Sequence, residues 1–263
     1  MRRLVPILLV AVAAVGCGKS KSSQVTPSTT TTTSAAPAPT APISSTTAPA
    51  PEPKLAIRVY FVRDGRVAPV RRLVPSTPAV GQAALNELQA GPTGDERAAG
   101  LSTAIGNLRL TGLAIRNGEA DLGELTHVSQ LAEAQIVFTL TQFPTVRKVR
   151  IGDDVLDRSD LEDVTPVILV ESPLPGETVA SPLVVRGTSN TFEATMRVEV
   201  RRGADVLVSE TVTASSGSGE RGTFEASLDV SASPGPITLV AFEPSAENGQ
   251  PLHTVRIPLT LIG

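Results

Sequence analysis

The sequence of 263 residues has no tryptophan, one tyrosine, six phenylalanines, two histidines and a single cysteine, Cys17. Aromatic side chains dominate the energetics of protein interfaces and stack on sugars. The sequence has few of them, so few are available for either kind of binding surface. One cysteine excludes an internal disulfide, and the folded part must be held together by apolar burial. The net charge of −3 argues against a nucleic-acid partner, because phosphate binding needs clustered lysine and arginine.

The N-terminus has the pattern of a bacterial export signal. Arg2 and Arg3 precede an apolar run of roughly a dozen residues, which is shorter than the about 20 residues needed to cross a bilayer. The run ends in Ala14-Val15-Gly16-Cys17, which resembles a lipoprotein lipobox. We therefore expect a signal peptide over residues 1–16 and a lipid on Cys17. The lipid would hold the protein at the extracytoplasmic face of the cell membrane.

A tract of serine, threonine, alanine and proline follows over residues 17–53. This composition cannot bury enough apolar surface to offset chain entropy, and it predicts a disordered tether. Its prolines favour an extended chain, which at about 3.1 Å per residue could reach on the order of 100 Å. A stalk that carries O-linked sugars and a passive linker are equally compatible with this composition.

The next segment alternates between strand and helix patterns. Strands are predicted over 55–62 and 67–74, around a hairpin turn at Asp64-Gly65. A helix is expected to begin at Thr77 as N-cap with Pro78 in its first turn, and to end at Gly91.

Two further strands, over 108–115 and 119–122, are predicted around Asn117-Gly118. A second helix over 128–143 is apolar around most of its circumference and should be largely buried, and a strand over 146–151 follows it. The order β-β-α-β-β-α-β indicates an α+β domain over residues 54–155.

Four blocks of this segment carry a resemblance to a known family. They are Val59-Tyr60-Phe61-Val62, Leu88-Gln89-Ala90-Gly91-Pro92-Thr93, Gly100-Leu101-Ser102 and the run from Ala134 to Pro144. In this order they resemble the GerMN domain of sporulation and spore-germination lipoproteins. Such domains are similar to ring-building modules of secretion and sporulation machines. The resemblance therefore implies self-association through the helix-bearing face and the sheet edges.

An acidic stretch lies at the end of this domain. Its members are Asp153, Asp154, Asp157, Asp160, Glu162 and Asp163. The spacing and the central glycine of a twelve-residue calcium loop are missing, so no metal is expected. We predict a solvated acidic linker over residues 156–166.

From residue 167 to residue 263 the apolar residues alternate with polar ones, which is typical of strands with one buried face. About seven strands at 8–12-residue spacing predict an immunoglobulin-like β-sandwich. The segments Ser172–Gly176, Val179–Leu183, Gly187–Glu193 and Phe242–Ser245 resemble the immunoglobulin-like domain of bacterial spore germination, which often follows GerMN.

Two candidate sites for chemistry have weak signals. The run Gly217 to Gly222 matches G-x-G-x-x-G, but a strand pattern follows it where a dinucleotide site needs a helix. We interpret it as a loop between strands. His127 and His253 are far apart in the sequence and have no second ligand at metal spacing, so both are expected at the surface.

Catalysis has little support in the sequence. No serine lies in a G-x-S-x-G elbow, and the one thiol is assigned to the lipid. Asp64, Asp121 or Glu124 could pair for glycoside hydrolysis, but the separation of carboxylates cannot be read from a sequence. We predict that the protein is not an enzyme and has no cofactor.

The resulting hypothesis is a non-catalytic, lipid-anchored envelope protein that binds or assembles with other envelope proteins or with itself. Unpaired strand edges would be the physical basis. The alternative is a receptor for a cell-wall glycan or peptide, with peptidoglycan as partner. A hydrolase with an unrecognised site is the third hypothesis. The membrane would be contacted only through the lipid on Cys17.

Overall fold

The computed structural model describes residues 53–263, all of which belong to one compact unit. The predicted signal peptide, Cys17 and the predicted tether up to residue 52 lie outside the described residues. Within residues 53–263, no helix combines the length and the apolar character that a membrane crossing requires.

The first domain packs helices against two small sheets. Its elements are β1 (Lys54–Arg63), β2 (Arg66–Pro75), α1 (Val80–Ala90), α2 (Gly94–Ala98), β3 (Ala114–Arg116), β4 (Glu119–Asp121), α3 (Gln130–Leu140), β5 (Lys148–Ile151) and β6 (Asp154–Leu156). Strands β1 and β2 form an antiparallel hairpin, and the second sheet has the order β3-β4-β5-β6. Strands β4 and β5 are parallel, with α3 as their crossover.

Both hairpin turns are confirmed. Asp64 and Gly65 have positive φ values of 51° and 72°, as do Asn117 and Gly118 with 52° and 87°. Two successive positive φ values define the type I′ turn, whose twist matches that of the flanking strands.

The first helix differs from its prediction at the start. It begins at Val80, and its N-cap residue Ala79 has no capping side chain. Thr77 instead accepts a hydrogen bond from the amide of Ala79 through its hydroxyl, in a turn that precedes the helix. The predicted end at Gly91 is confirmed by its φ of 78°.

Two strand predictions also need correction. Of the expected strand over 108–115, only the last part pairs, as the three-residue β3. Strand β6 was not predicted, and it follows a tight turn at Gly152 (φ 61°) to pair with β5. The helix α2, with its capping box between Thr93 and Glu96, was likewise not predicted.

The predicted second helix, α3, is buried as expected, and polar side chains of α3 and of Gln142 just after it cover the outer edge of β1. Three hydrogen bonds run from Arg58 N to Gln142 Oε1 (2.8 Å), from Tyr60 N to Thr139 Oγ1 (3.1 Å) and from Gln135 Nε2 to Tyr60 O (2.9 Å). Farther along, Val62 pairs with Ser102. Helix side chains thus replace a neighbouring strand, and this edge is closed to another chain.

The second domain is a sandwich of two sheets. Its strands are β7 (Ile168–Ser172), β8 (Thr178–Val179), β9 (Leu183–Ser189), β10 (Thr195–Arg202), β11 (Asp205–Thr213), β12 (Gly222–Leu228), β13 (Gly235–Pro244) and β14 (Pro251–Leu261). One sheet has the order β11-β10-β13-β14-β8 and the other β12-β9-β7. The seven predicted strands are confirmed, and the two-residue β8 is an addition.

The sandwich core is made of inward-facing aliphatic side chains with one phenylalanine, Phe224. Gly187 of β9 lies beneath it, between two neighbouring strands. A Cβ at this position would be 2.1 Å from the carbonyl oxygen of Leu169 and 2.8 Å from the ring of Phe224. Glycine is therefore required by close approach and not by its backbone angle.

We expect Gly187→Ala to lower the free energy of unfolding by about 3 kcal/mol, at the upper end of overpacking costs. The carbonyl of Leu169 can move away only by disturbing the β7–β9 pairing. Gly94→Ala is the control, because nothing lies within 4 Å of its added methyl group at the start of α2. Urea denaturation of both variants measures the difference, and equal stabilities would contradict the assigned clash.

The segment between the domains is not a solvated linker. Residues Arg158–Val164 form a 3₁₀ helix, in which Leu161 and Val164 are 1% and 8% exposed. Both side chains pack in the hydrophobic core of the first domain. The acidic residues of this short helix lie on its outer side. Their number made the segment look like a solvated linker, although its apolar side chains are buried.

Candidate binding site between the two domains

Strand β7 belongs to the sandwich but contributes to both cores. Ile168 and Val170 face the interior of the sandwich, whereas Leu169 packs into the core of the first domain. Alternating side chains of a strand point to opposite faces, so one strand can serve two cores. The two domains therefore share an apolar contact.

A polar cluster lies beside this contact and consists of Arg58, Tyr60, Arg158 and Glu171, which we call the domain-joining cluster. Arg158 Nη1 donates to Glu171 Oε1 at 2.9 Å, and the hydroxyl of Tyr60 donates to the same oxygen. The guanidinium of Arg158 also lies 4.6 Å from the ring centroid of Phe138. Because Glu171 is in β7, the cluster holds the sandwich to the first domain.

Burial and charge set the ionisation of this cluster. Burial, and secondarily the carboxylate of Glu171, raises the pKa of the Tyr60 hydroxyl well above its ordinary value of 10.0. For Glu171, burial by itself would raise the pKa. The charges of Arg158 and Arg58 and the Tyr60 hydroxyl outweigh it, so that the pKa lies below its ordinary value of 4.5. The cluster thus contains a neutral phenol and an ionised pair at neutral pH.

This arrangement predicts acid sensitivity. The pKa of Glu171 is lower in the folded state than the ordinary value of 4.5, so the unfolded state binds more protons in this range. Its stabilisation is complete above pH 4.5 and is lost as the pH falls through the lower folded-state value. We therefore expect the unfolding free energy of Glu171→Gln to decrease less than that of the wild-type protein between about pH 5 and pH 3.

The control for this measurement is Glu210→Gln, which changes an exposed carboxylate of β11. The unfolding free energy of this variant should change with pH as steeply as that of the wild-type protein. Equal slopes for Glu171→Gln and the wild type, measured by urea denaturation at each pH, would contradict the assigned role of Glu171.

A second set of polar contacts joins the 3₁₀ helix to the sandwich. Arg221 donates to both carboxylate oxygens of Glu162, at 2.8 and 2.9 Å, and Asn190 donates to the same carboxylate at 2.9 Å. These donors hold the pKa of Glu162 below its ordinary value, against the opposing effect of burial. The predicted acidic linker is in this way part of the interface.

A cleft of about 230 Å³ is lined by residues of both domains. Apolar residues make up most of its lining, among them Ile168, Leu174 and Ile257. Its charged lining residues are Arg63, Asp64, Arg66 and Arg256. Three arginines and one aspartate therefore line the cleft, in a protein whose net charge is −3.

The structure places Asp64 and Asp121, two of the residues that the sequence offered for glycoside hydrolysis, in different depressions. Asp64 lies in the hairpin turn and lines this cleft. Asp121 ends β4, lines a different depression and accepts a hydrogen bond from the amide of Gly123 at 2.8 Å. Glu124 lies in the loop that follows.

His127 and His253 are exposed, as predicted. His253 Nε2 lies 3.8 Å from a carboxylate oxygen of Glu243. The run Gly217 to Gly222 leads directly into β12, so the predicted strand after it is confirmed. Within residues 53–263, histidine, cysteine and acidic side chains nowhere form a group of three that could hold a metal ion.

The arginines of the cleft were not identified from the sequence. Arg63 and Arg66 flank a turn, and Arg256 belongs to the last strand, so nothing in their spacing predicts that they meet. The one available signal was the Arg63-Asp64-Gly65-Arg66 turn, whose two arginines are adjacent across a hairpin.

The two folds together define the class of the protein, which is a helix-and-sheet domain followed by an immunoglobulin-like sandwich. Residues 58–152 match the family described as "Sporulation and spore germination". Residues 167–250 match the "Immunoglobulin-like domain of bacterial spore germination". The chain carries one domain of each of these two families, in this order, as the resemblance in the sequence implied.

Comparison with solved structures gives similarities to parts of the chain. The tandem GerMN domains of the sporulation protein GerM from Bacillus subtilis are 22% identical, over 41% of this chain and 42% of that one, with a TM-score of 0.35. The fibronectin(III)-like modules of CbhA from Clostridium thermocellum are 17% identical, over 36% of this chain and 94% of that one, with a TM-score of 0.24. A comparison with curated proteins gives no match.

Proposed function

We propose that this protein is a non-catalytic binding and assembly module of the cell envelope, anchored in the membrane by a lipid on Cys17. The observation that carries the proposal is the way in which the two domains share cores and buried polar contacts. A jointly buried interface of this kind makes them act as one body, which suits a scaffold that presents a fixed surface to partners. Both family descriptions name sporulation or spore germination, which supports a role in an envelope process.

The strand edges differ in their suitability for assembly. The edge of β1 is covered by α3, and β2 carries Pro69 and Pro75, which lack an amide donor. Strand β11 pairs only with β10 among the described strands, and its nine residues contain neither proline nor lysine. Natural proteins protect free edges with such residues, so the edge of β11 is the surface that we assign to assembly.

Anchoring is tested by fractionating cells that express the wild-type protein or Cys17→Ser. We expect the wild-type protein in the membrane fraction and the variant outside it, because the variant lacks the thiol that would carry the lipid anchor. Mass spectrometry of the N-terminal peptide should find the acyl mass on Cys17. An unacylated wild-type protein, or an unchanged distribution of the variant, would refute the anchor.

Assembly is tested by light scattering of the purified protein at rising concentration. We expect the weight-average mass to rise, and Val206→Lys, which places a charge on the exposed side of β11, to abolish the rise. Leu73→Lys is the matched control, because Leu73 is equally exposed on the hairpin. A constant mass for the wild-type protein, together with no captured envelope protein in crosslinking, would contradict assembly.

The receptor hypothesis stays as the second candidate because of the cleft between the domains. Its lining contains no aromatic side chain, which disfavours a sugar that would stack on a ring. Its arginines favour a ligand with a carboxylate instead, since a guanidinium binds that group with two parallel hydrogen bonds.

A further inference from the structure

The cleft between the domains is bordered by two strands, each of which has a stretch with no paired strand on one side among the described residues. Strand β7 is the outer strand of its sheet, and β14 pairs with β8 only at Thr260 and Leu261. Residues 254–257 of β14 line the cleft. Among the described strands, none pairs with this part of β14 on the side away from β13.

The backbone of β14 is oriented toward this free side at alternate residues. Pro258 accepts from the amide of Gly176 at 2.8 Å, and the amide of Thr260 donates to Glu177 at 3.0 Å, both away from β13. Backbone groups of a strand alternate between its two sides. The amide and carbonyl of Arg256 therefore point to the same free side, beside the cleft.

Two of the three arginines, Arg66 and Arg63, have N–H groups without a hydrogen-bond partner among the described residues. Arg66 is held in place by the carbonyl oxygens of Thr165 at 2.7 Å and Asp163 at 3.2 Å, both of which engage Nη1 only. The Nε of Arg63 is buried without a hydrogen-bond partner in the described structure. The exposed Arg66 thus keeps its Nε and Nη2 donors for an acceptor that enters the cleft.

From these three features we infer that the cleft binds the end of an extended peptide that has a free C-terminal carboxylate. The peptide backbone pairs with the free edge at Arg256, in the manner of strand addition. Its carboxylate lies among the guanidinium groups of Arg63, Arg66 and Arg256. The volume of about 230 Å³ is below that of typical small-molecule pockets, and the mostly apolar lining suits one or two small aliphatic side chains.

This ligand site goes beyond the proposed anchoring and assembly, and it gives the second candidate, the receptor hypothesis, a defined class of ligand. Assembly through β11 and anchoring through Cys17 do not involve the cleft, so each of them can fail while peptide binding remains. Peptide binding can equally fail without affecting either.

The test is fluorescence anisotropy with the full chain and a labelled peptide Gly-Ser-Gly-Val-Ala. We expect the free-carboxylate peptide to bind about tenfold more tightly than its C-terminal amide, because the amide loses the charge-assisted bonds. A peptide methylated on its penultimate backbone nitrogen should bind about fivefold more weakly than the unmodified one, since it loses one strand hydrogen bond.

Two variants locate the site. Arg256→Gln, in an exposed residue of β14, should weaken binding about tenfold, whereas Arg109→Gln, an exposed arginine outside the cleft, should leave it unchanged. Equal binding of carboxylate and amide, or equal effects of the two variants, would overturn the inference. Full displacement of the peptide by equimolar acetate or inorganic phosphate would also overturn it, because a site for any small anion needs no strand pairing.

Discussion

We expect Gln135→Leu to lower the free energy of unfolding by about 4 kcal/mol, because it removes a buried side chain that satisfies two backbone groups. Gln135 is fully buried in α3. Its Nε2 donates to the carbonyl of Tyr60 at 2.9 Å, and its Oε1 accepts from the amide of Ala104 at 2.6 Å. Leucine has a similar volume, so the loss comes from unsatisfied polar groups and not from a cavity.

The matched control is Gln130→Leu, at the exposed start of the same helix. It makes the same chemical change where water can satisfy the neighbouring groups, and its effect should be within about 0.5 kcal/mol. Urea denaturation at neutral pH measures both variants. A loss below about 1 kcal/mol for Gln135→Leu would mean that β1 does not depend on α3 for its outer hydrogen bonds.

The second large effect concerns the domain-joining cluster. We expect Arg158→Met to lower the free energy of unfolding by about 3 to 5 kcal/mol, because Glu171 then keeps a buried charge without its ion-pair partner. Arg158 and Glu171 have side chains that are only 25% and 14% exposed. We also expect two unfolding transitions in place of one, as the sandwich separates from the first domain before either unfolds.

A double-mutant cycle isolates the pair. Arg158→Met combined with Glu171→Leu should cost less than the sum of the single changes, by about 2 kcal/mol, because no buried charge is left over. The ion pair of Arg186 and Glu225, with side chains 56% and 60% exposed, is the control, and its removal should have no measurable effect. Strict additivity at Arg158 and Glu171 would show that the two side chains act independently.

Some features of the fold could be predicted because their causes are local. The Asp64-Gly65 and Asn117-Gly118 turns need two positive φ values, which few residue pairs supply. The sandwich strands were predicted from alternation because one face of each is buried. The α3 helix was predicted as buried from its apolar circumference.

Other features depend on neighbours that are distant in sequence. The start of α1 at Val80 and the three-residue length of β3 depart from the local sequence signals, and tertiary context routinely overrides such local preferences. The acidic composition of residues 156–166 concealed two buried apolar side chains, Leu161 and Val164. Composition averages over a segment, whereas burial is decided residue by residue.

The candidate site illustrates the same limit. Arg63 and Arg66 come together through a hairpin, but Arg256 lines the same cleft only because the sandwich docks against the first domain. That docking depends on Leu169 and on the ion pair of Arg158 with Glu171, and none of these has a sequence signature.

The sequence by itself determined the two families, the strand alternation of the sandwich and the turns, because each follows from residues that are close along the chain. The tertiary structure alone decided that side chains of α3 close the edge of β1. It also decided that the domains share a buried interface, and that three arginines border an unpaired stretch of β14. The physical reason is that hydrogen-bond partners, burial and charge proximity are properties of residues that meet in space, and a linear pattern does not encode which of them meet.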